Sequence, residues 1–151
     1  MLTGEQLNSQ LGANLAALGA VEEALEAERR ALIGKDAAIL ESATAIKTDS
    51  LAHYTQHNAS LQQLLADNEP LSAVIGQLDR VEDNRALAQE LASLADRCQA
   101  INRGNGRLIA ELQTRARGAL DILRNRESDP ALYCALGTTA LQKDTRLLGQ
   151  A

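Results

Sequence analysis

The chain contains two histidines four residues apart, His53 and His57, and Asp49 precedes the first of them by the same interval. On a helix this spacing places all three side chains on one face, where imidazole and carboxylate groups can hold a metal ion. The chain has no further histidine and no Glu-x-x-His pair, so a zinc or di-iron site would lack its remaining ligands. We interpret these residues as a solvated helix face and expect no metal and no cofactor.

The two cysteines, Cys98 and Cys134, are the remaining candidates for nucleophilic or redox chemistry. A reactive thiol needs a nearby base and an electropositive setting, and no histidine is close to either cysteine in sequence. Cys98 falls in an apolar repeat and is expected to be a small core residue. Two cysteines also do not form a disulfide framework, which favours a reducing, cytoplasmic setting. The sequence therefore predicts no enzyme.

The composition favours helices and excludes several functions. Alanine and leucine provide 53 of the 68 apolar residues, and Phe and Trp are absent. Both are strong helix formers, so the expected fold class is all-α. The net charge of −5 and a total of two tyrosines argue against nucleic-acid binding. No run approaches the roughly 20 apolar residues of a membrane span, and no secretory signal is visible at the start.

The first two predicted helices are marked by capping residues. Thr3 with Gln6 forms a capping box, Gly34 is expected as the left-handed C′ residue just after the first helix, and Asp36 is expected to cap the second. An apolar stripe at helical spacing runs through the first helix. Its members are Leu7, Leu11, Leu15, Leu18, Val21, Leu25 and Leu32. The short turn between the two helices predicts an antiparallel pair.

A break at 67–70 precedes a short helix that begins near Pro70, and Asp83 is expected to cap a long helix over 84–124. Apolar residues of this helix alternate steps of four and three in a heptad seam. The seam comprises Leu87, Leu91, Leu94, Cys98, Ile101, Asn105, Leu108 and Leu112. The predicted architecture is an antiparallel bundle of three long helices with a short connecting helix. The bundle would span 1–124, and 125–151 would form a flexible amphipathic tail.

Charge is unevenly distributed between the predicted helices. Residues 1–82 hold 12 acidic and 5 basic side chains, whereas 83–124 hold 7 arginines and 5 acids. A run of basic residues lies along the third long helix and just past its end, at Arg103, Arg107, Arg115, Arg117, Arg124 and Arg126. We interpret the run as a solvated face that is balanced by the acidic hairpin. The alternative is a docking patch for an acidic partner.

Two glycines interrupt the third long helix around a polar seam residue, in the segment Asn102, Gly104, Asn105 and Gly106. Each glycine costs a helix about 1 kcal/mol relative to alanine. A structural reason would be close approach of a neighbouring helix, with the asparagine fixing the register. The functional alternative is a shallow groove for the helix of a partner, or a hinge.

The last residues predict a partner-binding segment. After the helix stop at 125–130, apolar residues recur at amphipathic spacing, although Gly137 and two threonines weaken the pattern. The candidate partner-binding residues are Leu132, Tyr133, Leu136, Leu141, Leu147 and Leu148. Such a segment is marginal alone and gains order by docking on another surface.

These features resemble the FlgN-like flagellar export chaperones. The similarity rests on Asn102, on the run 105–109 (Asn-Gly-Arg-Leu-Ile), on 119–123 (Ala-Leu-Asp-Ile-Leu) and on Leu132 with Tyr133. The chain departs from the family where Cys-Ala-Leu separates the tyrosine from Gly137, because the family typically has glycine directly after the tyrosine.

The resemblance implies a cytoplasmic, non-enzymatic chaperone. Such proteins bind the helical termini of hook-associated (hook–filament junction) proteins, prevent premature assembly and deliver them to the flagellar type III export apparatus. It also implies that Tyr133 docks on the cytoplasmic domain of the export gate and that the C-terminal region captures substrate. The competing interpretation is a structural coiled-coil module that oligomerises, for example as a homodimer, through the seam at 87–112.

Overall fold

Four α-helices form the part of the chain that the structure describes. The computed structural model describes residues 2–65 and 70–127, with side chains as far as Asn125. The helices are α1 (Gly4–Gly34), α2 (Ala37–Leu64), α3 (Leu71–Gln77) and α4 (Val81–Glu127). The predicted all-α class is confirmed, with three long helices and a short connecting one.

The predicted caps of α1 and α2 are confirmed, but the left-handed residue after α1 is not the predicted one. The Thr3 side chain accepts a hydrogen bond from the Gln6 backbone at 3.2 Å, and the Asp36 carboxylate accepts one from the Ile39 backbone at 3.0 Å. Gly34 is the last helical residue, and Lys35 takes the left-handed conformation with φ 54°. The prediction of Gly34 at that position was wrong by one residue, because the cap at Asp36 fixes where the turn must end.

The predicted start of the longest helix was also wrong. The helix α4 begins at Val81, where Arg80 has φ 59°, and it ends at Glu127. Asp83 therefore lies in the first turn rather than at the cap, where its charge still favours the positive end of the helix dipole. Pro70 is the cap residue of α3 rather than its first helical residue.

The helices α1 and α4 run parallel with one fixed register. Three side chains of α4 donate hydrogen bonds to backbone carbonyls of α1, each 80 positions earlier. The pairs are Asn84 with Gly4, Cys98 with Leu18, and Asn105 with Leu25. These positions are separated by multiples of seven residues, so the two helices share a heptad repeat and pack like two strands of a parallel coiled coil.

The helices α1 and α2 run antiparallel. The Gln10 and Asn14 side chains near the start of α1 bond the backbone oxygen of His57 near the end of α2, both at 3.2 Å. Near the opposite end of the pair, Glu28 of α1 meets Lys47 of α2. The helices α1 and α4 therefore point one way along the bundle and α2 points the opposite way. The antiparallel arrangement of α1 and α2 is the one that the short turn between them predicted.

Buried apolar side chains form two clusters along the bundle. One cluster joins α1 to the middle of α4 and contains Leu18, Val21, Leu25, Leu94 and Cys98. The other cluster joins the start of α1, the end of α2 and the short α3, and it contains Leu7, Leu11, Leu61 and Ile75. Burial of these side chains is the main force holding the helices together.

The chain divides into two units, Met1–Ala110 and Glu111–Ala151. In the described part of the second unit α4 continues to Glu127, and its side chains from 113 to 125 are exposed. Exposed apolar side chains there include Leu120, Ile122 and Leu123. Within residues 2–65 and 70–127, no helix has the length and apolar character required to cross a membrane.

Candidate functional site

The residues predicted to bind a partner through the tail lie outside the described residues. They are Leu132, Tyr133, Leu136, Leu141, Leu147 and Leu148. The predicted boundary between the bundle and the tail, after residue 124, stays a prediction, and α4 itself continues three residues further. The four candidate groove residues at 102–106 are described, and each has a different environment.

Asn105 of α4 points into the core and bonds α1. Its amide nitrogen donates to the backbone oxygen of Leu25 and to Glu28 Oε2, both at 2.9 Å. The other carboxylate oxygen of Glu28 accepts from Lys47 Nζ at 2.5 Å. This polar cluster, which we call the Glu28 cluster, fixes α2 and α4 to the same point on α1, as a polar seam residue was expected to do.

The Glu28 cluster is nearly closed to water. The Glu28 side chain is 3% exposed and the Lys47 side chain is 19% exposed. Burying a carboxylate costs several kcal/mol, and an opposite charge together with hydrogen bonds offsets that cost. Removing either partner, Lys47 or Asn105, would therefore leave the buried charge of Glu28 with less compensation.

A groove opens between α2 and α4, next to this cluster, and we call it the α2–α4 groove. Its volume is about 270 Å³. The floor is formed by the α1 side chains Leu18, Val21 and Leu25. The walls are formed by Leu51 and Tyr54 of α2 and by Cys98 and Asn102 of α4. All the lining residues are uncharged, and most of them are apolar.

The two glycines beside Asn105 do not make the close helix contact that was considered for them. A β-carbon added at Gly104 or Gly106 would meet no heavy atom of a neighbouring element within 4 Å in the described part of the chain. The close approach occurs instead at Gly4, where an added β-carbon would collide with the backbone carbonyl of Asp79. Asn102 lines the α2–α4 groove, so of the four candidates it is the one that faces a possible partner.

The Cys98 thiol lies in the wall of the α2–α4 groove. Burial raises the pKa of the Cys98 thiol, and the negative charge of Glu22 raises it further. The sulfur lies 3.9 Å from the backbone oxygen of Leu18. Beside it, the hydrogen bond of Arg97 to Glu22, at 2.9 Å, raises the pKa of the guanidinium. The prediction of Cys98 as a core residue is confirmed.

The histidines flank a second concave surface. His53 and His57 lie beside Ser50 and a row of four alanines of α1, at positions 13, 16, 17 and 20. Among the described residues, no group of three or more His, Cys, Asp or Glu side chains is arranged to hold a metal ion. The side chain of His53 is exposed. The backbone oxygen of His57 accepts a hydrogen bond from the Gln10 side chain of α1.

Three polar residues of the core were not among the residues predicted to be buried. Asn14, Glu28 and Asn84 are at most 2% exposed. All three extend the alternating steps of three and four, because 14 lies between Leu11 and Leu18, 28 between Leu25 and Leu32, and 84 precedes Leu87 by three. Only their polarity hid them, so a search by spacing without regard to residue type would have found them. The predicted apolar stripe of the first helix contained Leu15 rather than Asn14, and Leu15 is half-buried.

The basic run is divided between pairing and solvent. Arg97, which precedes the run on α4, pairs with Glu22 of α1. Arg115 pairs with Glu111 one turn earlier on α4, at 3.6 Å. Arg103 and Arg107 are exposed.

Comparisons with known proteins place the chain in one family. The family model described as "FlgN protein" matches residues 1–140, which is nearly the whole chain. Neither the curated proteins nor the solved structures contain a match. The three-helix bundle with its long third helix, together with this match, gives the identity: the chain belongs to the FlgN family of flagellar export chaperones.

Proposed function

We propose that this protein is a cytoplasmic chaperone for hook-associated proteins, the subunits of the hook–filament junction. It binds their helical termini, keeps them from assembling early and delivers them to the flagellar type III export apparatus. The observation that carries the proposal is the family match over residues 1–140. The proposed role is not enzymatic.

The geometry of the bundle supports a binding role. The α2–α4 groove is apolar and uncharged, and the Glu28 cluster holds the helices around it in a fixed arrangement. A chaperone that covers helical ends needs such an apolar surface, because subunits that polymerise through helices carry apolar faces themselves.

The tail is proposed as a second contact with the substrate. The residues assigned to it are Leu132, Leu136, Leu141, Leu147 and Leu148. A segment that gains order only on binding gives weaker net affinity, which suits a chaperone that must release its cargo. Tyr133 is proposed as the contact with the cytoplasmic domain of the export gate.

The structure does not favour the coiled-coil alternative. Leu94 and Cys98 are buried in the cluster shared with α1 of the same chain, and Asn105 bonds α1 directly. These seam residues are therefore occupied within one molecule and are not available to pair with another.

Secretion by living cells tests the proposal. Deleting the gene that encodes this chain is expected to lower the amount of hook-associated proteins in the culture medium, while the hook subunit is exported normally. The control is the same strain that carries the wild-type gene on a plasmid. Normal export of hook-associated proteins in the deletion strain contradicts the proposed function.

A further inference from the structure

On the α2 flank of the α2–α4 groove, Lys47 lies one turn before Leu51 and its charge is paired with Glu28. Leu51, which lines the groove, is 43% exposed. Thr48 lies three residues before it and Thr55 four residues after it, so all three share one face of the helix. Both threonine hydroxyls donate to the backbone of their own helix, at 2.9 and 2.8 Å. These side chains can therefore pack against an apolar surface without leaving a hydroxyl unbonded.

The α4 flank of the groove is polar and then basic. Gln99 lines the groove, and Arg103 and Arg107 follow it at intervals of four residues. Residues four apart are neighbours on a helix surface, so Arg103 lies one turn beyond Gln99 and Arg107 one turn beyond Arg103, and both are exposed. The groove thus has an apolar floor, and two exposed arginines of α4 follow the last of its lining residues.

The two walls of the groove are attached to the bundle through α1. Interhelical side-chain hydrogen bonds join α1 to α2 at Lys47 and join α1 to α4 at Asn84 and Asn105. Cys98 of α4 also contacts α1, at the backbone of Leu18. The side of the bundle where α2 faces α4 is therefore the side on which another helix can pack without replacing these bonds.

We propose that the α2–α4 groove binds an amphipathic helix of a partner protein that presents aliphatic side chains to the floor and acidic side chains to Arg103 and Arg107. The aliphatic face matches the floor formed by Leu18, Val21 and Leu25. Acidic flanks are selected because the exposed charged groups that follow the lining residues of α4 are arginines, which bond carboxylates well. The inference rests on the proposed function, since it names the surface that takes the helical end of the substrate.

A designed peptide tests the groove separately from flagellar export. The probe is a fluorescein-labelled helix of roughly three heptads with Leu at the core positions and Glu at the flanking positions. Fluorescence anisotropy against the full chain is expected to show saturable binding. Leu51→Gln is expected to weaken it about tenfold, because one leucine contact is lost. The matched control is Leu64→Gln, which changes a leucine of similar exposure (39%) on the same helix and should alter the affinity less than about twofold.

Charge reversal tests the two arginines. The double variant Arg103→Glu/Arg107→Glu is expected to weaken the Glu-flanked peptide about tenfold at low salt and to bind a Lys-flanked version of the peptide better than wild type does. The control is Arg29→Glu/Arg30→Glu, which makes the same change in net charge at exposed positions of α1. It should leave the preference for the Glu-flanked peptide unchanged.

Four outcomes overturn the inference. The first is that the wild-type chain does not bind the Glu-flanked peptide, and the second is that Leu51→Gln and Leu64→Gln have equal effects on the affinity. The third is that Leu51→Gln, without peptide, sediments as a monomer where wild type sediments as a dimer, and the fourth is that Leu51→Gln, without peptide, shows faster hydrogen exchange over 128–151 than wild type. The third assigns the groove to a second copy of the chain, and the fourth to its own C-terminal segment. Because the peptide contains no flagellar sequence, these failures leave the export assay to decide the proposed function, and normal export in the deletion strain leaves the peptide result standing.

Discussion

The Glu28 cluster predicts a large and specific loss of stability when its cation is removed. The substitution is Lys47→Met, which keeps most of the aliphatic stem and removes the ammonium group. Glu28 is then left 3% exposed with one hydrogen-bond donor, Asn105, and no opposite charge. The perturbation acts on the carboxylate that joins α1, α2 and α4 rather than on the apolar core.

The size of the effect follows from burial. Removing one partner of a buried ion pair costs about 3–5 kcal/mol, because the remaining charge is uncompensated. Lys47 is 19% exposed, so water can reach part of the vacated space and the lower end, about 3 kcal/mol, is expected. For a domain of this size that corresponds to a fall in Tm of roughly 6–12 °C.

Urea unfolding followed by far-UV circular dichroism measures the free energy of unfolding of wild type and of Lys47→Met. An unchanged m-value shows that both proteins expose the same amount of surface when they unfold. The control is Arg85→Met, which removes the cation of an exposed pair with Glu82 and is expected to cost less than about 1 kcal/mol. Restoring balance with Glu28→Met in the Lys47→Met background should recover most of the lost stability, since apolar replacement of a buried pair is often neutral.

The result that refutes this reasoning is equality of the two single variants. If Lys47→Met costs no more than Arg85→Met, the carboxylate of Glu28 is solvated or otherwise compensated, and the cluster does not fix the helices. A double variant less stable than Lys47→Met alone would likewise contradict it, because removing the unpaired charge should be favourable.

Three further predictions address single positions. Lys35→Gly should raise the free energy of unfolding by about 1 kcal/mol in the same urea assay, because Lys35 adopts φ 54° and glycine does so without strain. Above the ordinary thiol pKa of 9.0, wild type should lose more stability than Cys98→Ala as the pH rises, because burial raises the pKa of Cys98 and the unfolded chain loses its proton first. Tyr133→Ala should leave the affinity for hook-associated proteins unchanged and weaken binding to the cytoplasmic domain of the export gate, measured by calorimetry with each partner separately.

Local signals in the sequence were sufficient for the helices and for most of their ends. Thr3 with Gln6 and Asp36 act on backbone groups within three residues, so their capping role is legible without the fold. The errors at Gly34 and Asp83 arose where a second constraint competed. Asp36 moved the left-handed residue to Lys35, and α4 starts before its expected cap, directly after Arg80, which has φ 59°.

The site depended on contacts between distant parts of the chain. The register of α4 against α1, 80 positions apart, fixes which side chains line the α2–α4 groove, and no local pattern specifies that number. Glu28 is bonded by side chains of α2 and α4, and those partners cannot be read from the residues around position 28. Asn105 was identified as a register residue because it interrupts an apolar seam, and that interruption is visible in the sequence alone.

Direct binding tests the central claim that this chain is a chaperone for the helical ends of hook-associated proteins. Isothermal titration of the purified full-length chain with the hook-associated proteins of the same bacterium is expected to show a saturable complex. The same proteins without their terminal helical segments should give no heat of binding. Absence of a complex with the intact proteins, or undiminished binding after their terminal helices are removed, would contradict the account.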